Sequence, residues 1–180
     1  SYTDGQGTAE SVTSSETLAV AYVKLDKDKA SQLIAQQGSD VVIPDGVTTI
    51  GDWAFEENQL TSVVIPDGVK IIGEGAFYNN QLSSVNIPDS VNAIGYDAFR
   101  GNLLTSIVIP EGITDIGAGA FEDNQLTSVD IPNSITTIGG GLFKANRLTS
   151  IVIPDGVTSI GEGAFAENQL TSVVIPDGVT

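Results

Sequence analysis

Twenty-three of the 180 residues carry a carboxylate and seven carry a basic group, for a formal net charge of −16. Histidine, cysteine and methionine are absent. Their absence removes the usual general base, the best nucleophile, any disulfide and the commonest transition-metal ligands. Chemistry in this chain therefore rests on Asp and Glu. Adjacent carboxylates such as Glu56–Glu57 and Glu122–Asp123 could in principle do acid–base work. Both pairs fall in a variable return segment, where the equivalent positions hold residues such as Gly101 and Ala145. They are expected to be a solvated loop, and no catalytic constellation emerges. Pieces such as "GEGAF" lack the preceding strand and spacing of a nucleotide-binding turn and read as turn glycines.

A second acidic pattern is more regular. Asp45, Asp67, Asp89, Glu111, Asp155 and Asp177 recur once per 22 residues, interrupted only by Asn133. Carboxylates stacked ~5 Å apart repel one another, and a hard cation could bridge them. Each also sits in a P-D-G-like turn, where Asp is favoured for local hydrogen bonding, and no calcium-loop spacing is present. The turn is the preferred reading, with a weak calcium site as the alternative. No cofactor is assigned. The acidic field repels nucleic acid and anionic membranes, and no apolar run approaches the ~20 residues that span a bilayer. Apolar residues make up 41% of the chain, enough for a sizeable core.

The spacing of these carboxylates belongs to a wider grid. All seven prolines, from Pro44 to Pro176, and all six phenylalanines, from Phe55 to Phe165, fall 22 residues apart. Such a period signals a solenoid, in which one unit cannot bury its own face and stacks on its neighbours. In the unit "LTSVVIPDGVKIIGEGAFYNNQ", Leu60, Val63 and Ile65 have strand-like apolar spacing. Pro66 ends that strand and "PDG" turns the chain. Val69 and Ile72 form a second extended piece pointing inward. "EGAF" is predicted to be one tight helical turn that drops Ala76 and Phe77 into the core, and Asn80 helps the chain turn back.

The phrase "LTSVVIP…V..I…AF..N" resembles the bacterial leucine-rich repeats of the BspA-like kind over Val41 to Thr180, in six consecutive units. This unit is 22 residues, one fewer than that family usually shows, and Asn80, Asn102 and Asn124 stand where the family often has Cys or a small residue. The resemblance implies a leucine-rich-repeat solenoid: a right-handed, β-rich α/β-type superhelix with a parallel sheet, short helical or 3₁₀ turns and a small N-terminal cap. It also implies a secreted or cell-surface bacterial protein that adheres to extracellular proteins.

Residues 1–40 do not repeat and are read as a polar lead-in and an α/β cap. "TLAVAYVKL" reads as a strand and "DKDKASQLIAQQG" as a helix, with Asp26 as N-cap, Ala30, Leu33 and Ile34 on one face and Gly38 as stop. Residues 41–180 are the array of about six units, which stops in mid-unit at Thr180, so the parent chain is expected to continue. Trp53, the single Trp, replaces a turn glycine and is expected to pack against the cap helix.

On the outward strand face one column is serine: Ser62, Ser84, Ser106, Ser128, Ser150, Ser172. The next runs Val64, Asn86, Val108, Asp130, Val152, Val174. Repeat proteins usually bind on such a face. Tyr78, Tyr96, Arg100, Lys144 and Arg147 vary at loop positions and could lend a lateral face specificity. The leading expectation is a non-enzymatic, monomeric recognition or adhesion module for an extracellular protein partner. The alternative is a rigid spacer with no ligand, which the near-identity of successive units favours. Ice binding would require paired threonines where Ser62 alternates with Val64. Polysaccharide binding would require more exposed aromatics than one Trp and four Tyr supply.

Overall fold

A computed structural model describes residues 24–180; most of the strand expected at "TLAVAYVKL", and the polar lead-in before it, lie outside the described residues. Strand β1 (Lys24–Leu25) precedes helix α1 (Lys27–Gln37). Then come β2 (Asp40–Val42), β3 (Thr49–Ile50), β4 (Ser62–Val64), β5 (Ile71–Ile72), β6 (Ala93–Ile94), β7 (Asp115–Ile116), β8 (Thr137–Ile138) and β9 (Ser159–Ile160). Among the described residues all pairing is parallel and, within the array, joins counterparts one unit apart, as where Thr49 lies opposite Ile71 and Ile71 opposite Ala93, with no pairing between β7 and β8. The protein is a parallel-strand β-solenoid with little helix, as the repeat grid predicts.

The helix forms where its caps place it. The Asp26 carboxylate accepts the Lys29 N–H at 3.0 Å, and that bond holds Asp26 below the usual Asp pKa. Gly38, at φ 76°, ends the helix and donates to the Ile34 carbonyl at 2.7 Å. Ala30 and Leu33 point into the apolar cluster that runs through the coils.

The strands differ from expectation in one respect. The apolar spacing of the Leu-Thr-Ser-Val-Val segment predicts that it carries the main ladder. Its pairing is instead limited to β2 with β4 and two single bridges, Val108 to Asp130 and Val152 to Val174. Apart from β1, the longest sheet, β1-β3-β5-β6-β7, is built from the second extended piece, just before the glycine that follows it, Gly51, Gly73, Gly95 or Gly117. The cause is that glycine. A Cβ on Gly95 would lie 2.5 Å from the Glu74 nitrogen, and one on Gly117 only 2.3 Å from that of Tyr96. Only a residue without a side chain lets adjacent coils approach this closely. Leu60, Val63 and Ile65, all buried, keep the other side bulky.

The "GEGAF" turn is not a helix. Tyr78 N–H reaches the Gly75 carbonyl at 3.0 Å in a three-residue turn, but alternate amides point to the next coil. Trp53, Phe55 and Glu57 donate to Glu74, Ala76 and Tyr78 at 2.7, 2.8 and 2.9 Å. The geometry needs two left-handed residues per turn, such as Gly75 (φ 55°) and Asn79 (φ 50°). Trp53 takes the first of these positions at φ 55°. Its ring runs forward over Gly75 and meets Tyr78 edge-on at 5.9 Å.

Two interior columns lock the coils together. The phenylalanine rings stack at centroid separations of 5.2 to 6.0 Å with planes within 12° of parallel, the offset geometry aromatic pairs prefer. Beside them runs an asparagine ladder. Asn102 Nδ2 donates to the carbonyls of Phe77, one coil back, and Phe99, at 2.9 and 3.0 Å, while its Oδ1 accepts the Leu82 N–H at 3.1 Å. Asn80, Asn124, Asn146 and Asn168 repeat the pattern. The turn role expected of Asn80 is therefore a cross-coil hydrogen-bonding role.

Gly117→Ala should lower stability by about 1–3 kcal/mol in urea unfolding, because its methyl collides with backbone. Gly156→Ala, whose methyl would find its nearest neighbour 3.7 Å away, should change it little. Asn102→Leu strands the buried Leu82 amide and two carbonyls and should cost at least about 2 kcal/mol by the same measurement.

Candidate functional site

Every residue expected on the outward strand face is exposed: Ser62, Val64, Ser84, Asn86, Ser106, Val108, Ser128, Asp130, Ser150 and Val152. Alternation puts Val63 and Ile65 inside and Ser62 and Val64 outside, and the 22-residue register stacks them into columns. Val108 and Val152 are 79% and 81% exposed, more than a β-solenoid needs for its own packing. At the N-terminal end the face is polar. Asp40 accepts hydroxyl hydrogen bonds from Thr61 at 2.7 Å and Ser62 at 2.9 Å, and these hold its carboxyl below the ordinary value.

The turn carboxylates Asp45, Asp67, Asp89, Glu111, Asp155 and Asp177 are all exposed, one at each turn except that of Asn133. Among the described residues no group of three or more acidic side chains converges on one point. Where Ser replaces the turn glycine, its hydroxyl cross-links coils: Ser90 donates to the Val69 carbonyl at 2.7 Å and accepts the Gly68 N–H at 3.0 Å.

The lateral flank corrects the expectation of a solvated loop at Glu122. The position after each phenylalanine reads Glu56, Tyr78, Arg100, Glu122, Lys144, Ala166. Glu122 is only 8% exposed and is held by Arg100 at 3.3 Å and Lys144 at 3.2 Å. Arg100 also reaches Asp97 and Asp123, each at 3.6 Å, and Lys144 reaches Glu167 at 3.6 Å. Partial burial pulls the Arg100 pKa down, but Glu122, Asp97 and Asp123 together outweigh it and leave it raised. The hydrogen bond to Glu122, then the charge of Glu122, raises Lys144. Glu56 pairs with Lys27 at 3.1 Å, while Glu57 stays exposed. These carboxylates neutralise a ladder of cations across coils. The signal is present in the sequence as alternating charge at one register position.

The sequence pattern of the BspA type leucine rich repeat region, in six copies, matches residues 35–147 and again 70–180. The chain belongs to this family. The BspA-type array is also similar to solved structures. A leucine-rich repeat protein from Bacteroides ovatus shares 33% identity over 82% of this chain and 40% of its own, with a TM-score of 0.69. A leucine-rich repeat protein from Eubacterium ventriosum shares 25% identity over 80% of this chain and 46% of its own, with a TM-score of 0.54. The chain spans less than half the length of either. No curated protein matches it. A BspA-type solenoid is a scaffold typical of non-enzymatic recognition, and no helix among the described residues is long and apolar enough to cross a membrane.

Of the lateral residues named from sequence, the BspA-type fold ties Tyr78 to Trp53 and Arg100 and Lys144 to the ion ladder, while Tyr96 and Arg147 remain exposed. Because Lys144 is raised, its pairing contributes stability that is fully present below the ordinary lysine value of 10.5 and is lost as pH climbs through the raised value. The urea-midpoint difference between wild type and Lys144→Gln should therefore be largest well below pH 10.5 and shrink above it.

Proposed function

We propose that this BspA-type array is a protein-recognition module of a secreted or cell-surface bacterial protein, and that it binds its partner across the Ser and Val columns of the outward face. The observation that carries the reading is the exposure of Val64, Val108, Val152 and Val174, between 55% and 82%, beside an unbroken column of serine hydroxyls. Exposed valines that recur along one face are retained against their hydration cost and suit a protein surface. The serine hydroxyls, able both to donate and to accept, would meet polar groups of a partner beside each valine. Asn86 and Asp130, which interrupt the column, give the strip a direction and would set the register of a partner. Membership of the BspA-type family supports the extracellular setting and the adhesive role of this reading. Calcium has no part in this reading.

One observation favours the spacer alternative. The segment at Leu60 returns without change at Leu170, and a surface that repeats itself carries little positional information. In that reading the stacked core is the function, and its product is reach.

The two readings separate in solution. Biolayer interferometry against a panel of purified extracellular-matrix and bacterial surface proteins should give saturable binding to at least one member. Val108→Asp together with Val152→Asp should weaken it by about tenfold or more, with circular dichroism unchanged. Saturable binding indifferent to both substitutions removes the proposed face. Absence of binding across the panel, with deletion of one 22-residue unit altering only molecular length, establishes the spacer.

A further inference from the structure

Among the described residues, the close-packed column of the solenoid has one gap. Between β7 and β8, Gly139 N–H does not reach the Ile116 carbonyl, nor Thr136 N–H that of Thr114. The equivalent bonds form on both sides, Gly117 to Ile94 at 2.8 Å and Gly161 to Ile138 at 2.7 Å. The five-stranded sheet stops there and a new one begins. The cause lies in the core. Leu142, fully buried, stands where the other coils carry alanine at 54, 76, 98, 120 and 164. Its extra carbons wedge the fifth coil away from the fourth. A Cβ on Gly139 would meet its nearest neighbour at 3.1 Å, against 2.3 Å at Gly117.

The surface over this gap is hollowed as well. The position after the close-packed glycine reads Asp52, Glu74, Tyr96, Ala118, Gly140, Glu162. Two adjacent coils have thus lost their large side chain, which vacates about 10 Å along the axis at ~4.8 Å per coil. The result is a cleft of about 350 Å³ lined by Tyr96, Asp115, Ile116, Thr137 and Gly139 among others. Tyr96 stands at its end, 59% exposed.

We propose that this notch binds a single neutral sugar ring. A pyranose presents a flat face of C–H groups and a rim of hydroxyls that both donate and accept. The Tyr96 ring supplies an apolar surface for the face. The Asp115 carboxylate, the Thr137 hydroxyl, and the Gly139 N–H and Ile116 carbonyl, which lack the bond their counterparts make, supply partners of both kinds for the rim. The volume lies near the lower end of small-molecule pockets, matching one ring rather than a polymer. The net charge of −16 selects against anionic sugars. The site occupies a different column from the Ser/Val face and does not rest on the reading of that face.

The test is an NMR titration of the ¹⁵N-labelled chain with methyl β-glucopyranoside, methyl α-mannopyranoside and N-acetylglucosamine, with glucuronic acid as the anionic control. At least one neutral sugar should shift the Gly139 and Gly140 amides saturably, and Tyr96→Ala should weaken that binding by about tenfold or more. Leu142→Ala should let Gly139 bond to Ile116, slow exchange of the Gly139 amide and weaken binding. Tyr96 is on the surface, so its variant reports even if Leu142→Ala fails to fold. Absence of saturable shifts with all three neutral sugars, binding that Tyr96→Ala leaves intact, or preference for glucuronic acid overturns the proposal.

Discussion

Backbone-to-backbone approach at one glycine per coil is the constraint on which the rest of the molecule depends. Where Gly73, Gly95, Gly117 and Gly161 lie against the preceding coil, the two chains come too close for any Cβ. That approach lets the Gly73, Gly95 and Gly117 amides reach the carbonyls of Ile50, Ile72 and Ile94 at 2.8 Å, which in turn defines the coil rise. Once the rise is set, identical side chains in successive coils meet their own copies. The phenylalanines have no neighbour to stack on except the next phenylalanine, and the asparagines none to bridge except the carbonyls one coil away. Period, stacking and hydrogen bonding are consequences of one spacing.

Each column also states what its residue type is for. Phenylalanine tolerates its own copy because offset rings attract. Asparagine tolerates its copy because it presents both donors and an acceptor and can therefore continue a ladder. A carboxylate does not tolerate its copy unless exposed to water or alternated with cations, and the array uses both solutions. The turn acids stay in solvent. On the flank, Glu122 lies between Arg100 and Lys144 at 3.3 and 3.2 Å. Among the described residues most carboxylates are at least partly exposed, and the buried one, Glu122, is the one with two cations.

Much of this architecture is legible in the amino-acid sequence. The 22-residue grid implies the solenoid, Asp26 and Gly38 mark the helix ends, and strand alternation separates Ser62 and Val64 from Val63 and Ile65. What stays hidden there is whatever depends on distance between coils. Nothing in "LTSVVIP" reveals that its ladder thins to single bridges while the quieter "KII" segment carries the sheet, because the deciding contact is the missing Cβ of the following glycine. Asn80 reads as a turn residue because its partners, the Phe55 carbonyl and Leu60 amide, lie a unit away. Glu122 reads as a solvated loop for the same reason. Alternation locates the outward columns, but a column exposed to solvent carries no geometric mark of its ligand.

In a repeat this regular, information resides in the departures. A substitution on an exposed column, such as Asn86 or Asp130, changes the surface and leaves the stack untouched. A substitution on an interior column propagates, because each coil's position is the reference for the next. Leu142 is of the second kind. Replacing alanine, it costs hydrogen bonds between β7 and β8, while the turn bonds from Gly119, Phe121 and Asp123 to Gly140, Leu142 and Lys144 persist at 3.0, 3.1 and 3.0 Å. The coils therefore part on one side only, like a door on its hinge column, and the opening lies beneath Ala118 and Gly140, where the surface has been cleared. Loss of core fit and loss of surface side chains at the same coil need no common cause if each is drift. Their coincidence over one cleft is what a selected opening requires.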